Sequence, residues 1–169
     1  MLKKETRILG LSTERGTHLK PIIGAIFRGN LWLDAIVTYY AGKSTEADIS
    51  KLTATLKNIK QYPQIQAAIF ARADILKHGY EDYRRLSELV KFPIFAITKK
   101  PSGRVQRDEF VKIQRDEIRI ILWVNNYNPD RAKELYTLGC AGGHSTPEAV
   151  RVAELISSRC HKYPESSNT

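Results

Sequence analysis

The hydrophobic and polar residues of the first forty positions predict three β-strands. Residues 7–11 and 21–27 are apolar runs, and the second run is rich in branched side chains. The chain then reaches Arg-Gly-Asn at 28–30, where Gly and Asn accept the positive φ of a tight turn. Residues 31–40 follow at once, and their alternate positions share a face by the period of two. The pattern predicts an antiparallel hairpin formed by the second and third strands.

The hydrophobic spacing becomes helical after residue 44. Ile49, Leu52, Leu56 and Ile59 recur at the spacing of an amphipathic helix, which starts at Thr45 and is closed by Pro63. The later elements are predicted as a strand at 65–71, a helix at 81–91, a strand at 93–97, a short helix at 105–114, a strand at 118–124, a helix at 130–138 and a last helix. For that last helix, Thr146 is the expected N-cap and Pro147 the expected first residue.

This element order predicts one class of α/β fold. Three strands precede the first helix as an antiparallel meander, and the strands after it follow helices as in parallel crossovers. A doubly wound nucleotide-binding fold alternates strand and helix from its first element. The order therefore favours a ribonuclease-H-like mixed sheet, with one domain at 1–163 and a polar tail at 164–169.

Composition and charge narrow the class of protein. The 169 residues fit one domain, and 42% hydrophobic with 27% charged residues is typical of a folded protein. The net charge of +9 indicates either a surface that binds a polyanion or one that only maintains solubility. The chain has no apolar run long enough to span a bilayer and its first residues do not resemble a secretory signal, so a cytoplasmic protein is expected. Cys140 and Cys160 match no zinc-ligand spacing and are expected to be thiols, although a bridge stays open in an oxidising compartment or a hyperthermophile.

Three segments together resemble one protein family. Residues 22–29 are an apolar strand that ends in Phe-Arg-Gly, and residues 92–101 are a strand opened by Pro and followed by a basic loop with a second Pro. Residues 143–156 carry Pro-Glu, Arg-Val-Ala and Leu-Ile in the spacing of a C-terminal helix, which is the most specific of the three. On these segments the chain resembles the archaeal endonuclease-dU family, formerly a family of unknown function and related to endonuclease V, over residues 7–156.

The resemblance implies a ribonuclease-H-like nuclease whose clustered carboxylates hold Mg²⁺ or Mn²⁺ beside the scissile phosphate. This chain departs from that pattern, because the family's acidic positions are occupied by Ser12, Thr13, Ala41, Ser44 and Ala73. Neutral hydroxyls do not offset the desolvation of a divalent cation as carboxylates do. The chain is thus expected to be a nuclease-like nucleic-acid-binding protein with lost or degenerate metal-dependent catalysis and no bound cofactor.

Two alternatives stay open. Glu14 and Asp74, with Glu46 or Asp48, could form a displaced site, which would make the chain an active Mg²⁺- or Mn²⁺-dependent endonuclease on deaminated DNA. Against this, Glu46 and Asp48 also suit the first turn of a helix, and Glu14 and Asp74 suit solvated loops. The second alternative is a protein-interaction module without nucleic-acid binding. A homodimer stays open for each of these functions.

Basic and aromatic residues supply the candidates for nucleic-acid contact. They follow the second, fourth and fifth predicted strands, and the set is Arg28, Arg72, Lys77, His78, Tyr80, Arg84, Lys99, Lys100 and Arg104. Such residues grip phosphates and stack bases, but a solvated helix face with buried tyrosines has the same pattern. Ser145 and Thr146 precede a helix whose first N–H groups could hold a phosphate, or they belong to an ordinary capped helix start.

Overall fold

The structure, a computed structural model, describes residues 5–14, 21–40, 49–101 and 106–160. Within these ranges the strands are β1 (Arg7–Ser12), β2 (Ile22–Arg28), β3 (Trp32–Tyr39), β4 (Ile65–Phe70), β5 (Ile94–Thr98), β6 (Phe110–Arg115) and β7 (Ile118–Val124). The α-helices described are α1 (Ile49–Lys57), α2 (Tyr80–Leu89), α3 (Pro129–Gly139) and α4 (Glu148–Ser157). The predicted α/β class and the three initial strands are confirmed.

These seven strands form one mixed sheet in the order β3-β2-β1-β4-β5-β7-β6. Its centre is parallel, because β4 runs parallel to both β1 and β5. On one side β2 and β3 form the antiparallel meander, and on the other β7 runs antiparallel to β5 and forms a hairpin with β6. The meander followed by parallel crossovers is the arrangement that the element order predicts.

Helices cover both faces of the sheet, and β1 contributes to both cores. Ile8 belongs to the core that contains the buried faces of α3 and α4. Leu9 and Leu11 belong to the opposite core, with α1 and α2. A strand that is covered on both faces is apolar at consecutive positions, which is why β1 and β4 appear in the sequence as continuous hydrophobic runs.

Gly10 allows α4 to lie directly on β1. A Cβ atom added at Gly10 would lie 2.2 Å from the carbonyl carbon of Ala149 and 2.3 Å from the backbone nitrogen of Val150. No side chain fits at such distances, so the glycine permits the backbones of strand and helix to touch. The contact fixes where α4 crosses the centre of the sheet.

Of the segment 105–114, predicted as a short helix, the described residues 106–114 form mainly a strand. A 3-10 turn at Arg107–Glu109 is followed by β6, in which Val111 and Ile113 are buried and their neighbours are partly or fully exposed. This is the period of a strand, and pairing with β7 satisfies its backbone groups. The helix prediction is wrong because strand preference depends on such partners more than on local sequence.

Helix starts also differ from their predicted positions. The N-cap of α4 is Pro147 rather than Thr146, no side chain caps this helix, and Glu148 is its first residue. The predicted start of the first helix at Thr45 lies outside the described residues. Of the helices that the structure describes, none is long and apolar enough to cross a membrane.

Candidate nucleic-acid interface

The carboxyl ends of β1, β4 and β5 meet at one edge of the sheet, because these strands are parallel. We call this the carboxyl edge and define it by residues 12–14, 71–74 and 98–100, which end or follow the three strands. In open α/β sheets, ligands bind at the carboxyl ends of strands. The edge is therefore the first place to look for a site.

At the end of β1, the position where the family resemblance expects an acid is a buried neutral hydroxyl. Ser12 is 1% exposed, and its Oγ lies 3.3 Å from the Oγ of Ser157 in the last turn of α4. The Ser157 hydroxyl also donates to the carbonyl oxygen of Glu154 at 3.1 Å. Each hydroxyl has one proton, so both are satisfied when Ser12 donates to Ser157.

Ser157 was missed in the sequence, although a signal for it exists. Ala149, Ala153 and Ser157 recur every four residues, which places Ser157 on the buried face of α4. Polar side chains on such a face need a partner.

The side chain of Arg72 links β4 to β1 at the carboxyl edge. Its Nη1 and Nη2 both donate to the carbonyl oxygen of Thr13 at 3.1 Å, and its Nε donates to Asp74 Oδ1 at 3.0 Å. The backbone is held as well, because the Tyr83 hydroxyl donates to the Arg72 carbonyl at 2.9 Å. Burial raises the pKa of Tyr83, so this phenol remains a protonated donor. A permanent cation therefore lies between the ends of two central strands.

The carboxylates that the structure describes at this edge are Glu14 and Asp74, and they belong to no described cluster of three or more side chains that could hold a divalent metal. The Thr13 carbonyl already accepts two hydrogen bonds, Ser12 is paired with Ser157, and Asp74 is paired with Arg72. Nowhere in the described ranges do three or more His, Cys, Asp or Glu side chains come together in a way that could hold a metal ion. Ala73 is partly buried against the α1 and α2 core. The remaining candidates Ala41, Ser44, Glu46 and Asp48, and with them half of the displaced-site alternative, lie outside the described residues.

Several basic candidates lie at or beside the carboxyl edge. Lys99 and Lys100 are exposed directly after β5, where the Thr98 hydroxyl donates to the Lys100 carbonyl at 2.8 Å. Lys77 is exposed in the loop that leaves β4. Arg104 lies outside the described residues. The structure thus brings three lysines to the same end of the sheet as Arg72.

The candidates on α2 have structural partners. Asp82 accepts from the backbone N–H of His78 at 2.9 Å and lies 3.2 Å from the His78 Nδ1. The Arg84 guanidinium donates to Glu109 at 2.7 Å. The Tyr80 ring packs against Trp123, with 5.3 Å between ring centroids. The Arg84 and Tyr80 contacts join α2 to neighbouring elements, and a role of these residues in nucleic-acid binding stays a prediction.

One further candidate, Arg28, lies at the opposite edge of the sheet. Arg28 ends β2, and its Nε lies 2.8 Å from Asp34, whose other partner is the Nε of Arg7 at 2.7 Å. The hydrogen bond from Arg28 lowers the pKa of Asp34 most, and Arg7 lowers it further. Arg28 is therefore engaged in an ion pair far from Arg72.

Ser145 and Thr146 also lie away from the carboxyl edge. The Ser145 carbonyl accepts from the Tyr136 hydroxyl at 3.1 Å, in the loop between α3 and α4. The first turn of α4 already contains the carboxylate of Glu148, which forms an ion pair with Arg151 at 2.7 Å. The phosphate site at this helix start stays a prediction.

Known proteins share this fold. No family model matches the sequence.

A UPF0215 protein of Methanothermobacter thermautotrophicus is 23% identical over 93% of this chain and 88% of its own length. A crystal structure of a protein of unknown function from Archaeoglobus fulgidus superposes with a TM-score of 0.69 at 16% identity, covering 90% of this chain and 96% of that one. Endonuclease V of Ciona intestinalis, in complex with a 24mer DNA containing an inosine followed by a ribo-adenosine, superposes at 0.60 and 10% identity, covering 90% and 84%. The chain is thus a distant relative of an archaeal UPF0215 protein, and its fold is ribonuclease-H-like, as in endonuclease V.

Proposed function

We propose that this chain is a nuclease-like protein that binds nucleic acid at the carboxyl edge without a catalytic metal. The observation that carries the proposal is the Arg72 guanidinium, held by Thr13 and Asp74 between β1 and β4. In the endonuclease-dU resemblance, acids that hold a metal belong at these strand ends. A cation that is part of the chain is suited to attract phosphate there, but it is no substitute for a Lewis acid.

The state of Arg72 suits phosphate binding. Its side chain is 18% exposed, so the guanidinium keeps contact with solvent while three of its N–H groups are fixed. Because the side chain is already held, binding a phosphate costs little additional rotamer entropy. Arginine also presents several donors in one plane, which matches two phosphate oxygens at once.

The lysines extend the positive surface along the same edge. Lys99 and Lys100 are exposed and follow β5, the neighbour of β4. Phosphates are spaced along a strand, so a binding surface needs cations on neighbouring strand ends rather than one isolated residue. The net charge of +9 favours the approach of such a polyanion.

Salt-dependent binding tests the proposal. Fluorescence anisotropy with labelled single-stranded and duplex DNA and RNA, from 50 to 300 mM KCl, should give affinity that falls linearly with salt on logarithmic axes. The double variant Lys99→Ala/Lys100→Ala should bind about tenfold more weakly, and the slope should decrease by roughly 1.4 to 1.8 if both lysines neutralise phosphates. Absence of binding at 50 mM salt would favour the protein-interaction alternative and refute the proposal.

A charge-matched control separates a site from general attraction. Lys57 ends α1 and Lys91 follows α2, and both are exposed between these helices and the amino ends of β4 and β5. Lys57→Ala/Lys91→Ala removes the same charge at the opposite edge and should leave affinity within about twofold. Equal losses in the two double variants would show that the carboxyl edge has no special role.

Cleavage assays test the proposed loss of catalysis. Oligonucleotides that contain deoxyinosine or deoxyuridine, incubated with Mg²⁺ or Mn²⁺, should remain uncut while the anisotropy assay still detects binding. Metal-dependent cleavage that disappears in Asp74→Ala or Glu14→Ala would instead assign the chain to the active endonucleases. In that case, the binding measurements would still show whether Lys99 and Lys100 contact nucleic acid, because they do not depend on cleavage.

A further inference from the structure

Large apolar side chains are exposed together along β3 and its ends. Leu31, Trp32, Leu33, Ile36 and Tyr40 are between 42% and 68% exposed. In the rest of the described chain, the large hydrophobic residues exposed to a similar degree are Leu89, Ile118 and Leu155, which belong to three different elements. Successive residues of a strand point to opposite faces, so these side chains lie on both sides of β3. Apolar residues that gather along one edge strand, rather than lie scattered singly, mark an interaction site.

β3 is also an edge strand of the described sheet. It pairs with β2 on one side and has no partner on the other among the described strands. Edge strands of monomers are usually protected by Lys or Pro, and Trp32–Tyr39 contains neither. Its single charged residue, Asp34, is paired with Arg7 and Arg28. The bulge opposite Ile26 and Phe27 is the one protective feature, and beyond it residues 35–39 pair with β2 without interruption.

The charge of this surface favours a second copy over nucleic acid. The chain carries a net charge of +9, so two copies repel each other over most of their surfaces. Residues 31–40 contain no Lys or Arg, which leaves an edge where that repulsion is weakest. The same lack of cations makes β3 a poor surface for phosphates.

The exposed area is close to what a dimer needs. Whole aromatic side chains bury 150 to 250 Å² each, so these five side chains expose on the order of 500 Å². A standard interface buries about 800 Å² on each partner, part of which comes from backbone and polar groups. Strand pairing would supply that polar part through the N–H and C=O groups of residues 32–38 that point away from β2.

The chain itself offers little apolar material to cover β3. The segments outside the described residues are 1–4, 15–20, 41–48, 102–105 and 161–169. Their large apolar side chains are Met1, Leu2, Leu19, Val105 and Tyr163, among many charged and polar residues. We propose that β3 is the interface of a homodimer, in which two β3 strands pair antiparallel about a two-fold axis and join the two sheets. The interface is isologous, which means that both copies contribute the same residues to it.

Sedimentation or light scattering with size exclusion tests this assembly, and it does not depend on the proposed function. At micromolar concentrations the native chain should have twice the 19.2 kDa mass of one chain. Ile36→Lys introduces a charge into the interface and should raise the dissociation constant at least a hundredfold. Ile118→Lys is the matched control, since Ile118 is also exposed, at 53%, and lies on β7 at the other side of the sheet. The control should remain dimeric.

Cross-linking identifies the surface directly. In a Cys160→Ser background, Ile36→Cys should form an intermolecular disulfide under mild oxidation, and Ile118→Cys should not. A native chain that is monomeric at 100 µM overturns the proposal, as does a dimer that Ile36→Lys leaves intact. Hydrogen exchange of the backbone amides gives a third readout. If residues 31–40 are protected to the same degree at every protein concentration, another segment of the same chain covers β3, and the dimer is refuted.

Discussion

Replacing Gly10 by alanine tests the contact that positions α4 on the sheet. The new Cβ would lie 2.2 to 2.3 Å from three backbone atoms of Ala149 and Val150, more than 1 Å inside ordinary van der Waals contact. Backbone atoms of a helix cannot rotate away as the end of a side chain can. The helix must therefore move away from β1 by about 1 Å, which loosens the packing of Ala149, Val150 and Ala153.

We expect Gly10→Ala to lower the free energy of unfolding by about 3 kcal/mol, the upper end of the usual range for overpacking. A domain of this size loses about 2 to 4 °C of Tm per kcal/mol, so the Tm should fall by roughly 6 to 12 °C. Urea unfolding followed by circular dichroism measures the free energy, and a thermal scan gives the second value.

Two other glycines calibrate the experiment. Gly142 has no atom within 4 Å of its added Cβ, so Gly142→Ala should change stability by less than about 0.5 kcal/mol. At Gly24 the nearest atoms, at 3.1 and 3.2 Å, are the ends of the Leu9 and Leu11 side chains, which can adjust. Gly24→Ala should therefore lie between the other two. If Gly10→Ala unfolds within 1 kcal/mol of Gly142→Ala, α4 does not rest on β1 as described.

Two further predictions follow from single groups. Asp34→Asn should cost about 2 kcal/mol at pH 7, because it weakens charged hydrogen bonds to Arg7 and Arg28. The pKa of Asp34 is lowered in the folded state, so its stabilisation is present above the unfolded pKa of about 3.9 and is lost as the pH falls through the folded value. The difference between native and variant should shrink in urea titrations below pH 4, and a difference that is constant from pH 7 to pH 3 would contradict the ion pair. Burial raises the pKa of the Cys140 thiol to about 11, so at pH 8 iodoacetamide should modify it at least a hundredfold more slowly in the folded chain than in urea, as followed by mass spectrometry. Rapid modification of folded Cys140 would show that this thiol is not buried.

The sequence predicted the central strands well because they are covered on both faces. In β1 and β4 nearly every position is buried, so hydrophobicity alone marks them. β6 was not recognised, although Val111 and Ile113 alternate with Lys112 and Gln114 at the period of a strand, because the alternation is short and follows a 3-10 turn. Its strand state depends on β7, a partner that local preference cannot reveal.

The structure brings two of the marked positions to one edge of the sheet, but their contacts could not be predicted from the sequence. The resemblance marked Ser12, Thr13 and Ala73 as replaced acids, and Ser12 and Thr13 do lie at the carboxyl edge beside Arg72. The link from Arg72 to the Thr13 carbonyl joins residues 59 positions apart through a backbone oxygen, which carries no signal in side-chain identities. Arg28 was grouped with the other cations by residue type alone, but β2 is antiparallel to β1 and ends at the opposite edge.

The contact between Ser12 and Ser157 joins positions that are 145 residues apart in the chain. Closing a loop of that length costs about 4 kcal/mol of chain entropy, which must be offset by the packing of α4. During synthesis β1 is made long before α4, so Ser12 has no partner until α4 has been made. A chain that is cut short before α4 would keep Arg72 and the lysines. The face of β1 that α4 covers at Gly10 would then be exposed to water. Completion of the edge is thus a late folding event, and nascent or clipped chains should be prone to aggregation rather than to premature binding.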